Sequence, residues 1–457
     1  MPENPGQASN DNDPDCEMVI RSTTRRWSTP LLLLILALAA LVQFTVVARS
    51  RSEMPMVSDA ADYFSYAYNL KHFGIYSNAL TWAGEPPPGG VQPDALRSPG
   101  YPLFLLAIPG LDASDAYLHQ VALVQATFGV LSVWLVFLVG GHFLRPGWSH
   151  LAAFITAISP HLANLDTYLL TETLFHFLLL LSVQASILAL SRPGKWMPLL
   201  AGLAWGLCSL VRPTVMFVPA LLLLCTIAVP AMRKWHLAAF WVFAGFLAVQ
   251  TPWLLRNQVS SPDRSQGSLM VGTLHHGSYP DFMYQNRPET LGWPFRYDPR
   301  SEQAERDLPS ALSDIAGKFR AQPLAYAKWY LLGKPGTFLS WGYIQGHDIY
   351  VFEPLQSPYL DNPWFAVSRT LAFWLHWPMM LLGSIAALLA WWRPTWLGLE
   401  GDRLLAARLV SLVILYAIAF HMLAAPYPRY GVPFRSLIQV MALASASTWI
   451  SRRSLRP

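Results

Sequence analysis

Cysteine is nearly missing from this chain: 457 residues hold three. Cys16 sits in a polar N-terminal stretch, and Cys208 and Cys225 sit inside apolar runs. No loop therefore offers a disulfide framework, and no Cys-x-x-Cys spacing of a zinc site occurs. Charge is also scarce. Asp, Glu, Lys and Arg make up 13% of the chain, against about 25% in soluble globular proteins. The sequence has no G-x-x-x-x-G-K, no G-x-S-x-G and no H-E-x-x-H, which leaves nucleotide hydrolysis, serine hydrolysis and zinc proteolysis without support. Nor does it have the inverted repeat of many secondary transporters.

Apolar residues fill the gap, at 53% of the chain with a mean hydropathy of +0.31. Runs long enough to cross a bilayer, which needs roughly 20 apolar residues, recur along it. Ten spans are expected, at 31–48, 117–144, 151–165, 173–190, 196–211, 215–231, 237–255, 370–392, 404–424 and 432–450. The first is read as an uncleaved span, because a long tail precedes it and Arg49-Ser50-Arg51 follows without a small-residue cleavage site. The pI near 9.0 does not point to nucleic acid, because the basic residues cluster at the ends of the runs. Arg145, Arg192 with Lys195, Arg233 with Lys234, Arg393, and Arg452 with Arg453 fall at alternate ends, on the side of the N-terminus. Basic loops stay cytoplasmic, so both termini are expected inside.

The expected architecture is an all-α polytopic membrane protein. Residues 1–30 are a disordered cytoplasmic tail, in which Asp11-Asn12-Asp13 reads as solvated sequence. Residues 31–255 are a transmembrane catalytic module with an outer loop at 49–116. Residues 256–367 are a large outer loop, and 368–457 hold the last spans and a short cytoplasmic tail. Residues 323–344 mix Lys328, Lys334, Pro335 and Gly336 with Trp and Tyr, which suits an interfacial helix. Residues 101–111 are too short to span and read as a second one.

The first outer loop holds the densest chemistry. A helix from Asp59 places Asp59, Asp62, Tyr63 and Tyr66 on one face, with Ser58 as N-cap. Both carboxylates are either exposed helix-start residues or a general base held beside the membrane. Residues 83–97 carry Pro86-Pro87-Pro88-Gly89-Gly90 and read as a mobile loop or lid, ending in Arg97-Ser98-Pro99-Gly100-Tyr101-Pro102. Asp166 and Glu172 flank the start of a span, where ionisable groups are functional or helix-starting. Arg97, Arg212, Arg256 and Arg429 all lie at outer ends, as a candidate anion-binding ring or as topological anchors. The adjacent pair His275-His276 is a poor metal site, since neighbouring side chains diverge.

These residues resemble the membrane-embedded glycosyltransferases that use polyprenyl-phosphate sugars: the protein O-mannosyltransferases, the lipid A aminoarabinose transferases and their bacterial relatives. The resemblance rests on Asp59-Ala60-Ala61-Asp62-Tyr63, Ala67-Tyr68-Asn69-Leu70 and Arg97-Ser98-Pro99-Gly100-Tyr101-Pro102. It continues in Leu170-Thr171-Glu172-Thr173-Leu174, Leu210-Val211-Arg212-Pro213, Thr251-Pro252-Trp253-Leu254-Leu255-Arg256-Asn257 and Arg429-Tyr430-Gly431-Val432-Pro433. The series runs over nearly the whole chain in the same order. Two departures stand out: Asp59-Ala60 replaces the frequent Asp-Glu, leaving open whether Asp59 or Asp62 is the base, and the C-terminal soluble domain of some members is missing.

The resemblance implies a GT-C-like fold and an inverting transfer of a hexose or pentose from a polyprenyl-phosphate donor to a hydroxyl of a glycan, lipid or protein. It implies an active site at the outer face of the cytoplasmic membrane, without a nucleotide. Asp59, Asp62 and Glu172 are the implied catalytic residues. Tyr63, Arg97, Tyr101, Asp166, Arg212, Arg256, Arg429 and Tyr430 are the implied substrate-binding residues. Asp59 and Asp62 are also the candidate ligands of a divalent metal, Mg or Mn. The rival reading is a transporter or flippase of a lipid-linked or anionic substrate.

Overall fold

A computed structural model describes residues 14–84, 89–191, 194–260 and 266–454. Asp11-Asn12-Asp13, the three prolines at 86–88 and Arg192 lie outside the described residues, as does the rest of 1–13; residues 14–30, expected as disordered tail, are helical. The first helix, α1, is Pro14–Arg49.

Helices follow one another with short connections. The first loop carries α2 (Asp59–Phe73) and α3 (Gly100–Ala107). Then come α4 (Asp115–Gly141), α5 (Trp148–Ala157), α6 (Pro160–Leu165), α7 (Glu172–Ser191), α8 (Trp196–Val211), α9 (Val218–Ala228) and α10 (His236–Ser260). The second loop holds α11 (Gln266–His276), α12 (Ser301–Ala304), α13 (Leu308–Ala321), α14 (Pro323–Lys328), α15 (Lys334–Phe338) and α16 (Pro358–Asp361). The chain ends with α17 (Pro363–Trp392), α18 (Gly401–Leu423), α19 (Pro428–Gly431) and α20 (Arg435–Ser454).

Among the described residues six helical stretches are long and apolar enough to cross a membrane: Thr29–Arg49, Asp115–Gly141, Glu172–Ser191, Pro230–Ser260, Pro363–Trp392 and Gly401–Leu423. All ten expected spans fall on helix, but a count of ten long apolar helices is not reached. The expected span at 151–165 is broken between α5 and α6, because Pro160 has no N–H to donate and biases Ser159 away from helix. The helices α8 and α9 are short, and α20 is more polar. The segment at 323–344 is helical from 323 to 338, where α14 and α15 run on through a π-helical turn at Trp329–Gly333, and leaves the helix beyond Phe338.

Side chains of the long helices meet in a continuous apolar core. α8 packs along α10, α7 along α8, α4 along α7, and α17 along α20. Small residues allow the closest of these approaches, as in membrane helix pairs generally. Gly202 and Gly245 face each other across α8 and α10, and a Cβ on either would strike the opposing backbone carbonyl.

The two loops meet at one end of the bundle. A short antiparallel ladder pairs Arg51–Ser52 (β1) with Pro354–Gln356 (β2), tying the first loop to the second. Gly277 packs directly on the backbone of Ala424 and Ala425 at the end of α18. The cavity described next is therefore walled by both loops and by the start of α19.

Candidate active site

The N-terminus of α2 places the first carboxylate. Ser58 was expected to cap this helix, but it makes no side-chain capping bond and adopts φ 52°, ψ −126°. A positive φ at a non-glycine residue is strained and is characteristic of functional sites. Here it precedes a helix whose first side chain faces guanidinium groups.

Arg97 reaches back to α2. Its Nη2 donates to Asp59 Oδ1 at 2.7 Å and to Asp62 Oδ2 at 2.8 Å, while Nε donates to Asp62 Oδ2 at 3.1 Å. The other Asp59 oxygen accepts from Arg429 Nη2. Arg429 also pairs through Nε with Glu172 Oε1 at 3.1 Å. The same glutamate oxygen accepts from Arg212 Nη1 at 2.9 Å. The ion pairs thus run Asp62–Arg97–Asp59–Arg429–Glu172–Arg212, three carboxylates against three guanidiniums. Glu172 is 1% exposed, and the other side chains are between 13% and 27% exposed. Aromatic rings line the chain: Arg212 lies 4.3 Å from the Tyr430 ring centre, and Arg97 5.6 Å from that of Tyr63.

These pairings set the state of Asp59. Burial acts to raise its pKa, but Arg97 and then Arg429 outweigh burial and hold the carboxyl well below the ordinary range. Arg429 is pushed the other way: burial lowers its pKa, but Glu172 and Asp59 raise it further. Carboxylates and guanidiniums alternate along the network.

A cavity of about 640 Å³ opens beside this network, within the usual ligand-pocket range of about 300–1,000 Å³. Ser58, Asp59, Arg97, Arg429 and Tyr430 line one side. His276, Trp293, Phe295, Glu305, Gln345 and Tyr427, among others, line the rest.

Five of the eight expected substrate-binding residues, Tyr63, Tyr101, Asp166, Arg212 and Arg256, are not part of the cavity wall; Arg212 joins the network through Glu172, and Tyr63 lies beside Arg97. Arg256 donates to the carbonyls of Asp94 (2.8 Å) and Tyr76 (3.3 Å), where it holds the first loop against the end of α10. Tyr101 is fully buried; its hydroxyl donates to Gln125 Oε1 at 2.7 Å and its ring meets Tyr63 edge-on at 5.2 Å. Gln125 in turn donates to the carbonyls of Asp166 and Tyr168. Asp166 is 1% exposed, and its Oδ1 accepts from Thr173 at 2.7 Å. It is not part of the cavity wall; Gln125 and Thr173 hold it within the helix packing.

Sequence reasoning missed several residues that shape the site. Asp94 accepts from the Tyr66 hydroxyl and, at 2.9 and 3.1 Å, from the backbone N–H groups of Asn78 and Leu96. It thereby fixes the chain just before Arg97. Asn69 donates to the carbonyls of Ser77 and Ala79, both at 2.8 Å, and accepts from Thr81. Gly100 lets α3 touch α8, since a Cβ there would lie 2.6 Å from the backbone of Leu210 and Val211. The second-loop lining residues carried no local signal, because nothing near them in sequence shows that their loop folds over the first.

His275 and His276 diverge as expected. His275 is buried and bonds Glu305 and Tyr279, each at 2.9 Å, while His276 turns to Tyr427. The candidate metal ligands do not fit a metal ion, because Asp59 and Asp62 both close on the guanidinium of Arg97. Among the described residues no group of three or more His, Cys, Asp or Glu could hold one. The positive charge at this position is supplied by arginine.

Comparison with known proteins gives a partial family match and a fold. Residues 112–255 match the family described as dolichyl-phosphate-mannose-protein mannosyltransferase. That stretch contains Glu172 and Arg212 but not Asp59, Arg97 or Arg429. No curated protein matches the chain. Among solved structures, an Archaeoglobus fulgidus oligosaccharyltransferase tethered to an acceptor peptide aligns with TM-score 0.52 and 16% identity, over 94% of this chain and 51% of that one. The archaeal oligosaccharyltransferase AglB from the same organism, in complex with an inhibitory peptide and a dolichol-phosphate, aligns with TM-score 0.50 and 13% identity, over 93% and 51%. The chain spans about half the length of these structures. Through residues 112–255 it resembles the dolichyl-phosphate-mannose-protein mannosyltransferases, and over nearly its whole length it shares the fold of about half of the archaeal oligosaccharyltransferase.

Proposed function

We propose that this protein is an inverting glycosyltransferase. It moves a sugar from a polyprenyl-phosphate donor to a hydroxyl acceptor at the outer face of the cytoplasmic membrane. The observation that carries this reading is the Asp62–Arg97–Asp59–Arg429–Glu172–Arg212 network at the wall of the cavity. The dolichol-phosphate held by an archaeal relative of the same fold is of the same chemical kind as the proposed donor.

The arginines have more than one use in such a reaction. A donor phosphate entering the cavity competes with Asp59 for Arg97 and Arg429, whose planar forks suit phosphate. As those pairs loosen, Asp59 loses the charges that suppress its basicity, and its pKa moves back towards an ordinary carboxylate. Donor binding thereby prepares the base. Asp59 then takes the proton of the acceptor hydroxyl, that oxygen bonds to the anomeric carbon, and the bond from that carbon to the phosphate oxygen breaks. Polyprenyl phosphate leaves with the negative charge, facing Arg97 and Arg429, with Arg212 behind them through Glu172. One displacement inverts the anomeric centre. Proton transfer of this kind contributes roughly 10²–10⁴-fold, and a placed cation about 10²–10³-fold. Asp62 keeps Arg97 anchored during the exchange, and Glu172 does the same for Arg429.

The test is direct. Purified protein in lipid vesicles is offered radiolabelled polyprenyl-phosphate sugars, and products are separated from donor. Transfer of label to an acceptor, or slow release of free sugar to water, is expected. Movement of intact donor across the vesicle membrane without either product would make the protein a transporter and end this reading.

A further inference from the structure

The cavity has two unlike ends. The end at Asp59, Arg97 and Arg429 holds the ion pairs. The far wall comes from the second loop and from Tyr427, and it presents aromatic faces set among neutral hydrogen-bonding groups. Trp293 and Phe295 meet at 6.1 Å and 67°. The ring of His276 stands edge-on to Phe295 at 4.6 Å.

This wall is built, not incidental. Gly292 precedes the tryptophan at φ +83°, a conformation other residues rarely adopt, and Gln345 packs against it and donates to its carbonyl. Trp293 N–H donates to Thr290 O at 3.1 Å, and the carbonyl of Phe295 accepts from Ser301 at 2.6 Å. Arg296 covers the Trp293 ring at 4.3 Å. The rings are therefore pre-positioned before anything binds, which lowers the cost of ordering them.

The charges of the wall select the ligand further. Away from the ion-pair end, Glu305 is the only charged residue among the described cavity lining. Burial pushes His276 down to about 4, so it is neutral. An anionic acceptor would meet one carboxylate in the lining there, while the nearest cation, Arg296, is stacked on the Trp293 ring outside the lining. A neutral molecule with an apolar face and several hydroxyls matches what is offered: rings for its C–H face, and Gln345, Glu305, His276 and the Tyr427 hydroxyl for its hydroxyls.

Building on the proposed glycosyl transfer, we infer that the Trp293–Phe295 wall is the acceptor subsite and that the acceptor is a neutral carbohydrate. Trp293 is the residue that sets this specificity. A peptide acceptor is the competing class; main-chain pairing gives an extended peptide its affinity, and this wall offers side chains.

Binding is measured without donor, on the full chain in detergent, by saturation-transfer NMR with mannotriose, maltotriose and chitotriose and with a Ser/Thr-rich peptide. At least one trisaccharide should bind. Trp293→Ala should weaken it at least about tenfold, equivalent to losing a contact of about 1.4 kcal/mol. Trp293→Phe should retain most of the affinity, and Leu291→Ala, outside the cavity lining, should leave it unchanged. No binding by any trisaccharide, binding by the peptide alone, or trisaccharide binding that survives Trp293→Ala overturns the inference. Because no donor is present, these outcomes are separate from those that would end the transfer reading.

Discussion

Asp59 and Arg429 lie 370 positions apart in sequence and are joined by a direct ion pair. The contact brings the first turn of α2 to the start of α19. Arg97 holds the other oxygen of the same carboxylate at 2.7 Å. A carboxylate shared by two guanidiniums is a poor base until one of them has another anion to bind, and the proposed donor supplies that anion.

Asp59→Asn removes the proposed base with almost no change in shape. The variant should insert and accumulate normally, while transfer falls at least about 10²-fold, the low end for a lost general base. Asp62→Asn should do less harm, since it loses an anchor of Arg97. Turnover assays on both variants check the assignment, and the opposite ranking reverses it.

Acid should not neutralise Asp59 in the free enzyme over the ordinary carboxylate range. Its folded pKa is depressed from 3.8, so the stability it contributes is fully present above that value and is lost only as pH falls through the much lower folded pKa. In Arg429→Ala the suppression is partly relieved and the acid limb should move up. Infrared titration of the carboxylates, compared between these two proteins and Asp59→Asn, reads the difference.

The four arginines of the sequence pattern should separate. Arg97→Ala, Arg212→Ala and Arg429→Ala should weaken binding of labelled donor. Lysine replacements should recover it only in part, because the fork is lost. Arg256→Ala should instead lower thermal stability by about 1–3 kcal/mol, the cost of leaving the carbonyls of Asp94 and Tyr76 without their donor. Equal donor-binding losses at all four positions would contradict this division.

Gly100→Ala tests the seat of Arg97. The added Cβ would lie 2.6 Å from the backbone of Leu210 and Val211, which cannot yield as a flexible side chain would. A loss of about 1–3 kcal/mol is expected, with weaker transfer because α3 follows Arg97 directly. Thermal unfolding of the purified variant gives the first quantity and turnover the second.

The proposed orientation makes its own prediction. Reporter fusions after Gly90 and after Gly292 should behave as exported, and one at Pro457 as cytoplasmic. A cytoplasmic signal from the Gly292 fusion would overturn the orientation drawn from the basic clusters.

Sequence alone determined the membrane character and the helical class, and it marked the six charged residues of the network without their pairing. Apolar runs and flanking charges are local signals, and the bilayer's length requirement and the need for internally satisfied backbone turn them directly into helices. Asp59, Asp62, Arg97, Glu172, Arg212 and Arg429 could be picked out because a charged group at the end of an apolar run is conspicuous. Only tertiary structure decided their partners. Arg256 looked equivalent to the other three arginines, yet its guanidinium meets carbonyls of the first loop instead of carboxylates. Asp166 looked equivalent to Glu172, yet packing buries one against Thr173 and puts the other in the network. The acceptor wall was invisible, because His276, Trp293 and Gln345 become neighbours only when the second loop folds over the first, and an ordinary polar loop carries no periodic pattern that encodes such long-range contact.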